Sequence, residues 1–215
     1  MHESWLSNAY VLGDAPGGTA VFVDSGAPLG PLLEVVERER LTPTHLLRTH
    51  THPDHVEHED ELLTRYGIPV VTGDVATGDL TVRALSLPGH SADGVAFVVN
   101  DEVCCTGDVL FKDAVGGGPA DVCRQSVMTL MELPPDTRVL PGHTEETTIG
   151  REWESNPFVT YWRGAVPSLG ERVRVDGEDA ELVVWSPDYD GKGKALVRLA
   201  DGTEAIVGGS RVERG

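Results

Sequence analysis

Residues 45–67 read HLLRTHTHPDHVEHEDELLTRYG and hold five of the chain's eight histidines. The stretch HLLRTH (45–50) has the apolar character of a short strand, and Pro53 stops it. The spacing of VEHEDELLTRYG (56–67) then predicts a helix ended by Gly67. His50 and His52 are two apart, so extended backbone sends both side chains to the same side. Asp54 and His55 fall in the turn into the helix, where Asp54 also suits an N-cap. Four ligand-type side chains thus come from six residues. Two imidazoles at a strand end, followed by a carboxylate and a third imidazole, can serve two metal ions.

This stretch alone cannot complete the surroundings of even one ion, so further donors are expected at other strand ends. Three candidates stand there: His90 in LPGHSADG after ALSL, Asp108 in CCTGDVLF after VCC, and His143 in RVLPGHTEE after RVL. Each comes just after a glycine, which allows a tight turn and close approach of backbone.

Around these motifs, strand-like and helix-like stretches alternate. NAYVL (8–12) and AVFVDSG (20–26) read as paired strands, GPLLEVVERER (30–40) as a helix and IPVVT (68–72) as a strand. LTVRALSL, GVAFVVN and EVCCTGD follow as strands, with Asn100-Asp101 as a hairpin turn. VCRQSVMTLMEL (122–133) reads as a helix and TRVLPGH as a strand. This order fits a layered α+β sandwich in which helices cover two sheets, and fits a doubly wound sheet less well. Near residue 166 the pattern changes to short alternating strands with turns at DG, DGKG and DGT. We therefore expect two domains, residues 1–166 and a small all-β, SH3-like barrel over 167–215. The short aromatic connection FVTYWRGAVPSLG suggests that the barrel docks, against the active-site side or a sister subunit.

At 215 residues with 40% hydrophobic content, the chain can bury a substantial core. Its apolar runs are too short to cross a bilayer and its start lacks a signal peptide's features, which points to a soluble, cytoplasmic protein. A net charge of −18 disfavours nucleic acid or an anionic membrane as partner. A small-molecule substrate is the expected partner, with homo-oligomerisation left open. Cys104, Cys105 and Cys123 lack CxxC spacing and read as core filler.

The set HTHPDH (50–55), PGHS (88–91), TGD (106–108) and PGHTEETTIGREWESNPF (141–158) resembles the metallo-β-lactamase-fold hydrolases, and within them the glyoxalase II-like (hydroxyacylglutathione hydrolase-like) branch. The resemblance spans roughly residues 8–160 and implies an αββα four-layer sandwich. Carried over by position, it implies His50, His52 and His90 as ligands of one ion and Asp54, His55 and His143 as ligands of the other. Asp108 would bridge the two. It implies two divalent ions, with zinc preferred and iron or manganese open, and a bridging hydroxide that attacks a thioester or ester carbonyl. Asp54 would be the catalytic residue that orients or deprotonates the water. Asp24, in VDSG, matches a position that orients a ligand in this fold, with an ordinary Asx turn as the equal alternative. His45 has the wrong strand parity, His58 lies on a solvated helix face and His2 is terminal, so all three read as bystanders.

Two departures from the branch stand out. After TGD the usual S-V-G-R-x-D segment is replaced by KDAVGGGPADV, in which Gly116, Gly117 and Gly118 read as a flexible loop. The C-terminal part is stranded where glyoxalase II is helical, so glutathione recognition is not implied. A mononuclear iron persulfide dioxygenase of the same fold keeps HxHxDH and is the first alternative. A scaffold acting through the C-terminal β-domain is the second.

Overall fold

The computed structural model describes residues 6–215. Two mixed sheets stack face to face. The first contains β1 (Tyr10–Gly13), β2 (Thr19–Val23), β3 (Thr42–Leu47) and β4 (Val70–Val71), in that order. Helices α1 (Gly30–Glu39), α2 (Pro53–Val56) and α3 (Glu59–Tyr66) are contributed by its connections, and α1 and α3 cover its outer face through Phe22, Val36, Leu46 and Leu62. The second contains β5 (Val75–Thr77), β6 (Leu80–Ser86), β7 (Val95–Val99) and β8 (Val103–Gly107). Next in the chain come a two-residue strand, β9 (Gly118–Pro119), and α4 (Ala120–Leu130), before β10 (Arg138–Pro141) and β11 (Thr147–Thr148) complete that sheet. Val21, Val23 and Leu47 of the first sheet meet Val82, Phe97, Val99 and Cys105 of the second in the central layer. The outer face of the second sheet packs on α4 and on α6 (Pro157–Trp162), which follows α5 (Ile149–Ser155). The layers therefore run αββα, an α+β sandwich.

The remaining strands, β12 (Glu171–Val175), β13 (Glu178–Ser186), β14 (Lys194–Leu199), β15 (Glu204–Gly208) and β16 (Val212–Arg214), form an antiparallel sheet ordered β16-β12-β13-β14-β15-β9. It is an open sheet and not a closed barrel: β16 and β9 are its edges. Val183, Val184, Leu196 and Ile206 on one face join the same core as α4 and α6. Gly118 pairs with Ile206 and Pro119 with Ala205, so the end of the glycine stretch read as flexible is held in an edge strand. Gly116 is tighter still, because a Cβ there would lie 1.9 Å from the Asp108 carbonyl oxygen and 2.9 Å from His90 Cβ.

The element ends around the histidine-rich stretch differ from the sequence reading in ways that matter for the site. Strand β3 ends at Leu47 instead of reaching His50, since the Thr49 N–H donates to Asp24 Oδ1 at 2.8 Å. The expected single helix begins at Pro53 and is split. Its N-cap is His52 and not Asp54, because the proline takes the first helical position and needs no acceptor for its nitrogen. The break comes where the Ser25 N–H donates to the His55 carbonyl and the His58 N–H donates to the Ser25 carbonyl, which staples this turn to the end of β2. At the hairpin between β7 and β8, Asn100 and Asp101 both have positive φ (52° and 55°), as a two-residue turn with the strands' own twist requires. The three cysteines are buried and unpaired. No helix among the described residues is long and apolar enough to cross a membrane.

Candidate metal centre

All seven predicted donors meet at one end of the sandwich. His50, His52, Asp54 and His55 come from the segment between β3 and α3, His90 from the β6–β7 turn, Asp108 from the residue after β8 and His143 from the turn after β10. His52 Nδ1 lies 3.0 Å from both His50 Nε2 and His90 Nε2, so three imidazole nitrogens share one small space. Asp54, His55 and His143 form a second group, and His55 also lies within a third with His50 and Asp108. Asp108 sits between the two. Its Oδ2 is 3.3 Å from His90 Nε2 and 3.4 Å from His143 Nε2, while its Oδ1 is 3.2 Å from His55 Nε2.

The outer nitrogens are fixed by acceptors. His90 Nδ1 donates to the Gly117 carbonyl at 3.1 Å and His143 Nδ1 to the Leu6 carbonyl at 3.0 Å. A carbonyl can only accept, so each neutral ring carries its proton on Nδ1 and turns a lone pair inward on Nε2. Asp24 does the same for two more rings. Its Oδ2 accepts from His55 Nδ1 and from the Thr49 hydroxyl, both at 2.7 Å, and Thr49 Oγ1 in turn accepts from His50 Nδ1 at 3.1 Å. Asp24 is thus an orienting carboxylate and not merely the cap of a turn.

Buried charge is distributed unevenly. Burial, then the charge of His55, pushes His50 down to about 4, and burial also lowers His90. For His55 burial opposes protonation, yet the Asp108 and Asp24 carboxylates outweigh it and lift the ring to about 10. Asp108 and Asp54 lift His143 to about 9 against the same opposition. Burial pushes Asp108 upward, but His143 and His55 win and hold it well below the usual carboxylate range. Asp54 is held low in the same way, its largest favourable partner being His143.

The donor set fits divalent cations. His55 Nε2, Asp108 Oδ1 and His143 Nε2 are sealed from solvent and have no hydrogen-bond partner. Buried polar atoms left so are costly, and ions at the points where they converge would satisfy them. His45 instead bonds Thr44 through Nδ1 at 3.0 Å, and neither it nor His58 belongs to a donor group among the described residues. His2 lies outside the described residues.

One aromatic residue at the site is absent from the sequence reading. Tyr189, in the β13–β14 turn of the C-terminal sheet, stacks on His143 with ring centroids 3.9 Å apart and planes 5° from parallel. Its only signal was an aromatic residue in the otherwise polar turn SPDYDGKG.

Comparison with known proteins agrees with this geometry. An uncharacterised protein of Mycobacterium leprae is 34% identical, over 71% of this chain and 93% of that protein. A hydroxyacylglutathione hydrolase of Rhodopseudomonas palustris is 27% identical over 80% of this chain and 88% of its own. Among solved structures, the BLEG-1 B3 metallo-beta-lactamase matches with a TM-score of 0.69 at 28% identity, covering 74% of this chain and 97% of that one. ETHE1 from Myxococcus xanthus matches at 0.64 and 29%, covering 73% and 81%. A model of the metallo-beta-lactamase superfamily matches residues 4–85, the part that carries HTHPDH, and with the αββα sandwich and these likenesses the chain belongs to that superfamily.

Proposed function

We propose that the protein is a binuclear metallohydrolase of small thioesters or related esters, working in the cytoplasm and using zinc. The observation that carries this reading is the convergence of seven donors, three of whose buried atoms have no other partner. His50, His52 and His90 would hold one ion and Asp54, His55 and His143 the other, with Asp108 reaching both. What such ions supply is Lewis acidity, which makes water acidic enough to ionise near neutral pH and polarises a carbonyl.

The chain's own groups do the rest. Asp54, whose side chain keeps 24% of its surface exposed while the other carboxylate of the cluster is buried, faces incoming water and can orient it or accept its proton. Its low pKa keeps it in the accepting form at neutral pH. The water oxygen bonds to the acyl carbon, the bond to sulfur or alkoxide oxygen breaks, and the leaving group departs with the proton. Residues 1–166 would be the catalytic unit and 167–215 an appended all-β unit. The hydroxyacylglutathione hydrolase relative supports the thioester class.

Elemental analysis with a panel of thioesters, lactones, β-lactams and phosphodiesters tests the reading. About two zinc ions per chain and thioester or ester turnover are expected, and a metal-free preparation with full activity would overturn it. The likeness to ETHE1 favours one second reading, a mononuclear iron dioxygenase of a persulfide. About one iron per chain with oxygen uptake during turnover would select it.

A further inference from the structure

The C-terminal sheet reaches into the metal centre through a single turn. Residues 187–193 leave β13 and return as β14, and Tyr189 at their middle stacks on His143 and meets Phe111 edge-on at 5.9 Å. The turn is anchored on both sides. Asp188 Oδ2 lies 2.9 Å from Lys194 Nζ with both side chains nearly buried, and the Ser186 hydroxyl donates to the Asp113 carbonyl in the loop after β8.

Stacking alone would be served as well by phenylalanine, so the hydroxyl needs its own account. It has no hydrogen-bond partner among the described residues and is not one of the atoms sealed from solvent. The ring's 3.9 Å stack on His143 holds that hydroxyl beside the cluster. Tyr189 and Pro187 of the turn also line a cleft of about 350 Å³, whose charged groups are Lys112, Asp113, Glu145 and Asp188. Each is paired, Lys112 with Glu145, Asp113 with Arg151 and Asp188 with Lys194. Such a lining suits an uncharged acyl substituent better than a polyanion.

We propose that Tyr189 is a substrate-contacting residue of the metal centre, its hydroxyl donating a hydrogen bond to the carbonyl oxygen of a bound thioester or ester as that oxygen gains negative charge. This rests on the hydrolase reading for its substrate class and adds a donor that the superfamily's ligand motifs do not contain. The C-terminal sheet is then part of the active site: it delivers the donor, and the adjoining cleft takes the acyl group.

The test compares metal-loaded wild type with Tyr189→Phe, which keeps the ring on His143. Two unreactive mimics of one acyl chain are titrated by calorimetry, a phosphonate carrying the oxyanion and a thioether lacking any carbonyl. Tyr189→Phe should weaken the phosphonate roughly 10- to 100-fold, leave the thioether within about twofold and keep the metal content. On a turned-over substrate, kcat should fall by a similar factor with KM little changed. A purely structural tyrosine would instead shift both mimics together or neither. Wild-type protein that binds neither mimic, or a variant that binds both as wild type does, overturns the proposal. The hydrolase reading fails separately, on absence of turnover across the panel or on metal content.

Discussion

His50, His52 and His90 gather three imidazole nitrogens around one space, whereas His55 and His143 on the other side each face both Asp54 and Asp108. Burial leaves His50, down at about 4, and His90 short of protons, while carboxylates load the second group, lifting His55 to about 10 and His143 to about 9. Two neighbouring half-sites thus meet the same difficulty, buried polarity without a cation, in opposite ways. In the first, His50 and His90 keep unprotonated lone pairs. The second borrows protons as its positive charge. An ion finds no proton to evict from His50 or His90, but must evict protons from the second.

Removing Asp108, the carboxylate that faces both halves directly, should do the most damage. Asp108→Ala leaves His55 and His143 without their principal partner and His90 without its only close anion among the described residues, so on the binuclear reading both ions should be lost together. Turnover should drop by roughly 10⁴-fold or more, as for members of a unit that act jointly. Metal analysis beside the rate decides it: a variant that keeps one tightly held ion would show that the halves are independent.

The next effect is in pH. Near neutral pH His55 and His143 both hold protons in the metal-free protein, so binding of the second ion should release about two protons, whereas the lowered His50 and His90 have none to give the first. Second-ion affinity should then climb about 100-fold per pH unit between 7 and 9. Calorimetry in buffers of different ionisation enthalpy counts the protons, and equal release for both ions would refute the contrast. The same shifts act on folding without metal. The raised histidines contribute stability that is fully present below about pH 6.5, their usual value, and is lost as pH rises through 9 to 10. His50, lowered, withdraws stability as pH falls from 6.5 toward 4. Metal-free protein should therefore melt highest near neutrality and lower at pH 10, a loss that bound metal should oppose.

How much of this was legible in the sequence follows from what each part is made of. The members of the cluster were, because a side chain able to hold a metal leaves a letter: HTHPDH, then His90, Asp108 and His143 after strands and glycines. The layered fold was too, since Val21, Leu47, Phe97 and Val99 carry the apolar patterning that buries two sheets together. The orienting partners of His90 and His143 were not. They are the backbone carbonyls of Gly117 and Leu6, and a carbonyl belongs to every residue alike. The Gly116–Gly118 stretch misled for a related reason: three glycines signal freedom, yet here they answer close approach to Asp108 and His90 and pairing with β15. Tyr189 lies 46 positions beyond the ring it stacks on, and only the docking of the C-terminal sheet brings the two together.

The smallest effects should come from the atoms that couple the halves from behind. Asp24 serves both, holding His55 directly and His50 through Thr49. Asp24→Asn keeps the shape, but its amide can donate to His55 Nδ1 and drive that ring's proton onto Nε2, the atom needed inward. Metal affinity should fall roughly 10- to 100-fold, more for the second ion than for the first. Thr49→Val should act on the first half alone, because it removes only the link to His50 and leaves the Asp24–His55 bond in place; a drop of about tenfold or less, confined to the first ion, is expected. Measured as two stepwise affinities for each variant, the pair separates the halves. Equal losses at both ions in Thr49→Val would mean that Asp24 transmits the disturbance across the site, and that the cluster titrates and binds as one unit.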